Sequence, residues 1–130
     1  MWLRSLSAAA AAAAALTAGP ALACSCAPFR SPAEHLAGAD LVFKGRVLRS
    51  SGDQGRAVTT FRVDEVLKGR TGQEVDVRHA VSSAACGVKF ARGGSRLVFA
   101  YRGRGGYSTN SCSQARFPEG EYRAALRADP

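Results

Sequence analysis

Histidine is scarce in this 130-residue chain: His35 and His79 are the only two. Neither has a cysteine or carboxylate at metal-ligand spacing, so no histidine-based metal centre is expected. Both read as surface residues, His35 on a short helix and His79 at a strand end. Ser82, Ser83 and the serines of residues 108–113 stand in no nucleophile motif, and nothing resembles a phosphate-binding loop. The glycine-rich residues 103–106 suit a hairpin turn better than a phosphate cradle. These absences describe a non-enzyme with no cofactor and no metal of its own. Long apolar runs are missing too. The alanine-rich residues 8–18 are too short to span a bilayer, and no other run is long enough. Internal repeats and linkers are also absent, so no second domain is expected. Acidic residues are few, 10 against 18 lysines and arginines.

What is present begins with a leader. Arg4 supplies a positive n-region, residues 8–18 a weakly apolar h-region, and Pro20 breaks the helix. Ala21-Leu22-Ala23 is an A-x-A cleavage signal, so residues 1–23 read as a secretory signal peptide. Cleavage leaves residues 24–130 as one small exported domain, soluble, monomeric, and secreted, periplasmic or extracellular. Arg4 is the only charge lost, which takes the formal net charge from +8 to +7. Arg92, Arg96, Arg102, Arg104, Arg116, Arg123 and Arg127 crowd the C-terminal third. They form either a polyanion-binding surface or an arginine-rich solvated one.

All four cysteines survive cleavage, and the new terminus is Cys24-Ser25-Cys26-Ala27-Pro28. An even count in a small exported chain reads as a disulfide framework, with three pairings open. Each bridge closes a long loop and contributes roughly 4 kcal/mol by chain entropy.

Ser31-Pro32-Ala33-Glu34 is a capping box with proline at N1. A short helix follows and stops near Gly38, with Ala33, Leu36 and Ala37 on its apolar side. Residues 41–48 alternate as a strand, with Leu41, Phe43 and Val47 on one face and Lys44 and Arg46 on the other. Gly45 interrupts the first face and marks a bulge. Residues 50–55 read as a polar turn, and 58–67 as a second strand with Phe61 and Val63 inward. Residues 74–78 place Val75 and Val77 inside. Residues 80–94 are irregular and carry Cys86. Residues 97–101 are almost wholly apolar, as in a strand covered on both sides. Residues 107–109 form a short fifth strand, and 119–127 a helix that buries Tyr122 and Leu126. The fold class is mainly β: a five-stranded OB-fold barrel with a short N-terminal helix and a C-terminal helix.

These residues resemble the N-terminal, netrin-like domain of the tissue inhibitors of metalloproteinases. Small single-domain bacterial proteins of netrin-like type share the pattern. The resemblance runs from Cys-Ser-Cys and its proline through Ala39-Asp40-Leu41-Val42-Phe43 and Phe61-Arg62-Val63 with Lys68-Gly69. It continues through Ala85-Cys86-Gly87 and Leu97-Val98-Phe99 to Cys112. It implies bridges Cys24–Cys86 and Cys26–Cys112. It implies a partner as well, a zinc metalloendopeptidase. The α-amine and carbonyl of Cys24 chelate that protease's zinc, and Ser25 enters its specificity pocket. Cys26, Ala27, Pro28, Ala85, Cys86 and Gly87 complete an inhibitory ridge. The sequence departs from the family in three ways. The family's third N-domain cysteine falls at Leu36 or its neighbour, the C-terminal subdomain is not matched, and the turn at residues 50–55 is short.

An α-amine with a pKa of about 7.7–8.0 is partly neutral near pH 7 and can bind metal. Two bridges within three residues remove most of the ordering cost of docking. Two alternatives remain. In one, Cys-x-Cys only staples the terminus of an exported netrin-like module that binds an envelope, extracellular or polyanionic partner. In the other, Cys24 is lipidated. Residues 21–24 lack the leucine three before the cysteine that a lipobox needs, and lipidation would consume the Cys24 sulfur and acylate its amine.

Overall fold

The computed structural model describes residues 23–53 and 55–128. The expected signal peptide, residues 1–23, lies outside the described residues except for Ala23. Five strands close into a barrel: β1 (Leu41–Asp53), β2 (Arg56–Lys68), β3 (Glu74–Ala80), β4 (Arg96–Gly103) and β5 (Gly106–Ser108). Their order around it is β1-β2-β3-β5-β4. β3 and β5 run parallel, and the other neighbouring pairs are antiparallel. Two helices, α1 (Pro32–Gly38) and α2 (Glu119–Ala128), contact each other outside the barrel. This is the OB-type barrel expected from the strand spacing, stapled by two disulfides.

Period-two alternation sorts the apolar residues into two cores. Leu41 and Phe43 of β1, Phe61 of β2, Val75 and Val77 of β3, and Val98 and Ala100 of β4 fill the barrel with Phe90. The intervening residues Val42 and Phe99 face outward and pack with Leu36, Ala39 and Tyr122 under the helices. β4 is therefore covered on both sides, which is why residues 97–101 are a nearly unbroken apolar run. The register of β1 against β2 slips between Lys44 and Gly45. A Cβ on Gly45 would come within 2.6 Å of the Arg62 carbonyl oxygen and 3.0 Å of the Phe43 ring. Glycine at this bulge lets the long strand β1 coil tightly enough for five strands to close.

Ser31 caps α1, its Oγ accepting from the Glu34 amide at 3.1 Å. Glu34 reaches back one residue further than a capping box requires, accepting from the Arg30 amide at 2.8 Å. Lys68 closes the other end, donating from Nζ to the Leu36 carbonyl at 2.8 Å, where a cation also meets the negative end of the helix.

Four expectations need correction. Residues 50–55 are not a polar turn. Ser50, Ser51, Gly52 and Asp53 pair with Thr59, Val58, Ala57 and Arg56, so β1 and β2 continue as a long hairpin. Backbone ladder bonds and the β-branched partners on β2 hold that polar extension, with Ser50 Oγ 2.7 Å from Thr59 Oγ1. Ala33 and Ala37 are exposed, and His35 shares the buried face of α1 with Leu36. His35 is fully buried and not a surface residue. His79 is buried as well, because the alternation of β3 continues one step past Val77 and points its ring inward. Its Nδ1 donates to the Ala80 carbonyl at 3.0 Å, which leaves Nε2 to accept from Thr59 Oγ1 at 2.6 Å.

Candidate functional site

The N-terminal segment lies where two loops meet. The first follows β3. Residues Ser83–Ala85 make one 3-10 turn, and Cys86 caps it in the left-handed region at φ 56°. A side chain rarely adopts that conformation, and surrounding bonds hold it here. The amides of Ala85 and Gly87 both donate to the Ser82 carbonyl, at 3.1 and 2.8 Å, and Val88 N donates to the Ala80 carbonyl at 2.9 Å. Gly87 has no room for a side chain, since a Cβ would lie 2.5 Å from the Val81 carbonyl carbon. The tip of the β1–β2 hairpin ties in where this loop starts, the Gly55 carbonyl accepting from Val81 N at 2.8 Å.

The second loop follows β5. Asn110 caps a 3-10 turn at Ser111–Ser113, its Oδ1 accepting from both the amide and the hydroxyl of Ser113 at 3.0 Å. Ser111 N donates to the Cys86 carbonyl at 2.9 Å and joins the two loops.

Cys24 bonds to Cys86 and Cys26 to Cys112, across 62 and 86 residues of chain. This is the pairing that the resemblance implies. The bridges lie side by side: Cys112 Sγ is 3.8 Å from Cys24 Sγ and 3.8 Å from Cys86 Sγ. Cys24 and Cys26 are half-buried, and Ser25 between them is exposed. Ala27, Pro28 and Ala85 are exposed, while Cys86 and Gly87 are half-buried. Cys24 and Cys26 thus reach the Cys86 loop through one bridge and Cys112 through the other. In the described chain Ala23 precedes Cys24, so the Cys24 nitrogen is an amide and not a free amine. Cys24, Cys26 and Cys112 are the group of potential metal-binding side chains among the described residues. As disulfides they offer no thiolate.

Sequence reasoning missed what stands behind this segment. The His35 ring is sandwiched between Phe29 and Phe99, with centroids 4.0 and 3.8 Å away. Nε2 donates to the Ser113 carbonyl at 3.2 Å, so Nδ1 accepts from the Tyr122 hydroxyl at 2.8 Å. Tyr122 Oη in turn accepts from Arg116 N at 3.0 Å. One side chain therefore touches the segment leaving Cys26, through Phe29, and the turn holding Cys112, through Ser113. The Asn110-Ser-Cys-Ser113 cap was a readable signal. His35 gave none, because its partners are distant in sequence.

Burial holds the His35 pKa below its ordinary value, and Arg116 adds to the effect, against the opposing Ser113 carbonyl. The unfolded chain therefore takes up a proton before the folded one does. Stability should be complete above the ordinary histidine value of about 6.5 and fall as pH drops below it toward the lower folded value. Urea unfolding between pH 8 and pH 5 should show that loss, and His35→Gln should flatten it. His35→Ala empties a ring-sized site and leaves Tyr122 short of a partner. It should cost roughly 3–5 kcal/mol, the range for truncating a buried ring.

Of the seven arginines of the C-terminal third, three have side-chain partners among the described residues. Arg123 pairs with Glu65 at 2.7 Å and Glu119 at 3.0 Å. Arg96 donates to the Ala91 carbonyl, and Arg102 to the Tyr107 hydroxyl. Arg92, Arg104, Arg116 and Arg127 are exposed. No helix among the described residues is long and apolar enough to cross a membrane. Searched against protein-family models and against curated proteins, the chain matches none.

Proposed function

We propose that the chain, once cut before Cys24, is an exported, non-catalytic inhibitor of zinc metalloendopeptidases of the netrin-like kind it resembles. The Cys24 α-amine and carbonyl coordinate the catalytic zinc of the protease, and Ser25 occupies the pocket beside it. Cys26, Ala27, Pro28, Ala85, Cys86 and Gly87 form the surrounding contact ridge. The observation that carries this reading is the double tether. Two bridges grip the first and third residues of the mature chain and leave Ser25 exposed between them.

A catalytic zinc keeps one position for water, and a rigid bidentate group that takes that position stops hydrolysis. The entropy of ordering three terminal residues, roughly 1–2 kcal/mol each, is lost in folding and not in docking. His35 supports the arrangement from behind.

The test is direct. Oxidised protein that begins at Cys24 with an unblocked amine is titrated against a panel of zinc endopeptidases. Stoichiometric inhibition of at least one supports the reading, and no inhibition of any removes it. The second reading, a non-inhibitory module for an envelope, extracellular or polyanionic partner, rests on the exposed Arg92, Arg104, Arg116 and Arg127. It predicts binding to heparin that weakens steeply with salt and ignores the state of the terminus.

A further inference from the structure

The two bridges sit closer together than independent staples require, with three of the four sulfurs in one tight group. Cys112 Sγ lies 3.8 Å from both Cys24 Sγ and Cys86 Sγ. The sulfurs of Cys24, Cys26 and Cys112 all fall within 4.8 Å of one another. A zinc ion held by four thiolates at about 2.3 Å spaces its sulfurs about 3.8 Å apart, the edge of a tetrahedron of that radius. Two of the four non-bonded approaches between the bridges already have that length, and Cys86 Sγ, which lies outside the 4.8 Å group, has to close on Cys26 Sγ to complete the set.

We propose that the reduced chain is a tetrathiolate zinc site made by Cys24, Cys26, Cys86 and Cys112. The same cluster holds either two disulfides or one metal ion, according to the redox state of its surroundings. This inference stands apart from protease inhibition and is read without a protease.

The backbone supports it, because two of the four ligands are placed by bonds that reduction leaves intact. Cys86 is set by the turn at Ser83–Ala85 and by the Gly87 and Val88 amide bonds. Cys112 is set by the Asn110 cap. The Ser111 N bond to the Cys86 carbonyl fixes the two loops to each other. Cys24 and Cys26 come from one segment, two residues apart, which Phe29 holds against His35. On reduction each bonded pair needs to part by only about 2 Å to reach the tetrahedral edge. Thiolates are soft ligands that select zinc over the hard divalent cations. The site would carry two negative charges, in a chain whose formal net charge is +8.

The chemistry balances. Each bridge takes up two electrons and two protons to become two thiols. With a trialkylphosphine as reductant, the phosphine becomes its oxide and water supplies the oxygen and the protons. One Zn2+ then displaces four protons from the four thiols. A reducing compartment favours the metal form and an oxidising one the bridged form.

The experiment uses the full chain, reduced anaerobically with a trialkylphosphine and titrated with Co2+ as a coloured substitute for zinc. The expected result is one Co2+ per chain, with thiolate-to-cobalt charge-transfer and tetrahedral d–d absorption. One equivalent of Zn2+ should erase both bands and protect four thiols from alkylation. Cys86→Ser and Cys112→Ser should each lose about a quarter of the charge-transfer intensity, one ligand in four. The oxidised chain should show no band. Circular dichroism is followed throughout. A reduced chain that keeps its β signal, or regains it with one metal ion, supports the site. Absence of the bands, intensity indifferent to both serine variants, or a lost β signal that metal does not restore would each overturn it.

Discussion

One alanine added ahead of Cys24 should abolish inhibition of every zinc endopeptidase that the native mature terminus inhibits. The extension converts a basic amine into an amide. An amine with a pKa of about 7.7–8.0 is partly deprotonated near neutral pH, and zinc draws it further by displacing the proton. An amide nitrogen has no available lone pair, so the chelate loses one of its two teeth. The added residue also occupies the volume where the metal would sit. Metal coordination in such sites is worth several kcal/mol. A loss of about 4 kcal/mol is roughly a thousandfold in affinity. The extended protein should keep its barrel dichroism and show no free thiol, because Ala23 already precedes Cys24 in the described chain with both bridges formed. Equal inhibition by the native and extended proteins would mean that the amine plays no part.

Removing the bridge between Cys26 and Cys112 should destabilise the molecule severely. Cys26→Ser with Cys112→Ser opens a loop of 86 residues. By chain entropy that costs about 4–5 kcal/mol, a large share of the stability of a domain this size. The melting temperature should fall by roughly 20 °C, at several degrees per kcal/mol. The effect should be local as well. Cys112 is the neighbour of Ser113, which His35 holds, so the support beneath the terminus loosens with the bridge. Inhibition measured below the new melting temperature should weaken even where the barrel persists. A shift of only a few degrees would show that the hydrogen bonds around residues 110–113 hold the turn without the sulfur.

The readable parts of the fold were those where burial leaves a period. Residues 97–101 show a doubly covered strand because both faces of β4 are packed, on Val98 and Ala100 inside and Phe99 outside. Ser31 and Glu34 show a helix start, and Gly45 shows the bulge. The tip of the β1–β2 hairpin was not legible, since Ser50, Ser51 and Gly52 are paired through backbone atoms that every residue shares. The two histidines were misread for the opposite reason. A buried imidazole is tolerated when both nitrogens are satisfied, and the partners of His35 lie 78 and 87 residues away. Within the candidate site, the even cysteine count made the disulfide framework of Cys24 and Cys26 legible. The support behind it, His35 with Phe29, Phe99 and Tyr122, is assembled from three separate stretches and has no local signature.

The double tether imposes an order of events during synthesis. Cys24 and Cys26 leave the ribosome early, yet their partners lie 62 and 86 residues downstream. At roughly 5–20 residues per second, both thiols wait several seconds for a correct mate. Until Cys86 emerges, the only cysteine each can meet on its own chain is the other. Both distant loops must exist before the Cys24–Cys26 segment is held at two points, so a nascent chain that ends between residues 86 and 112 can form only the first tether.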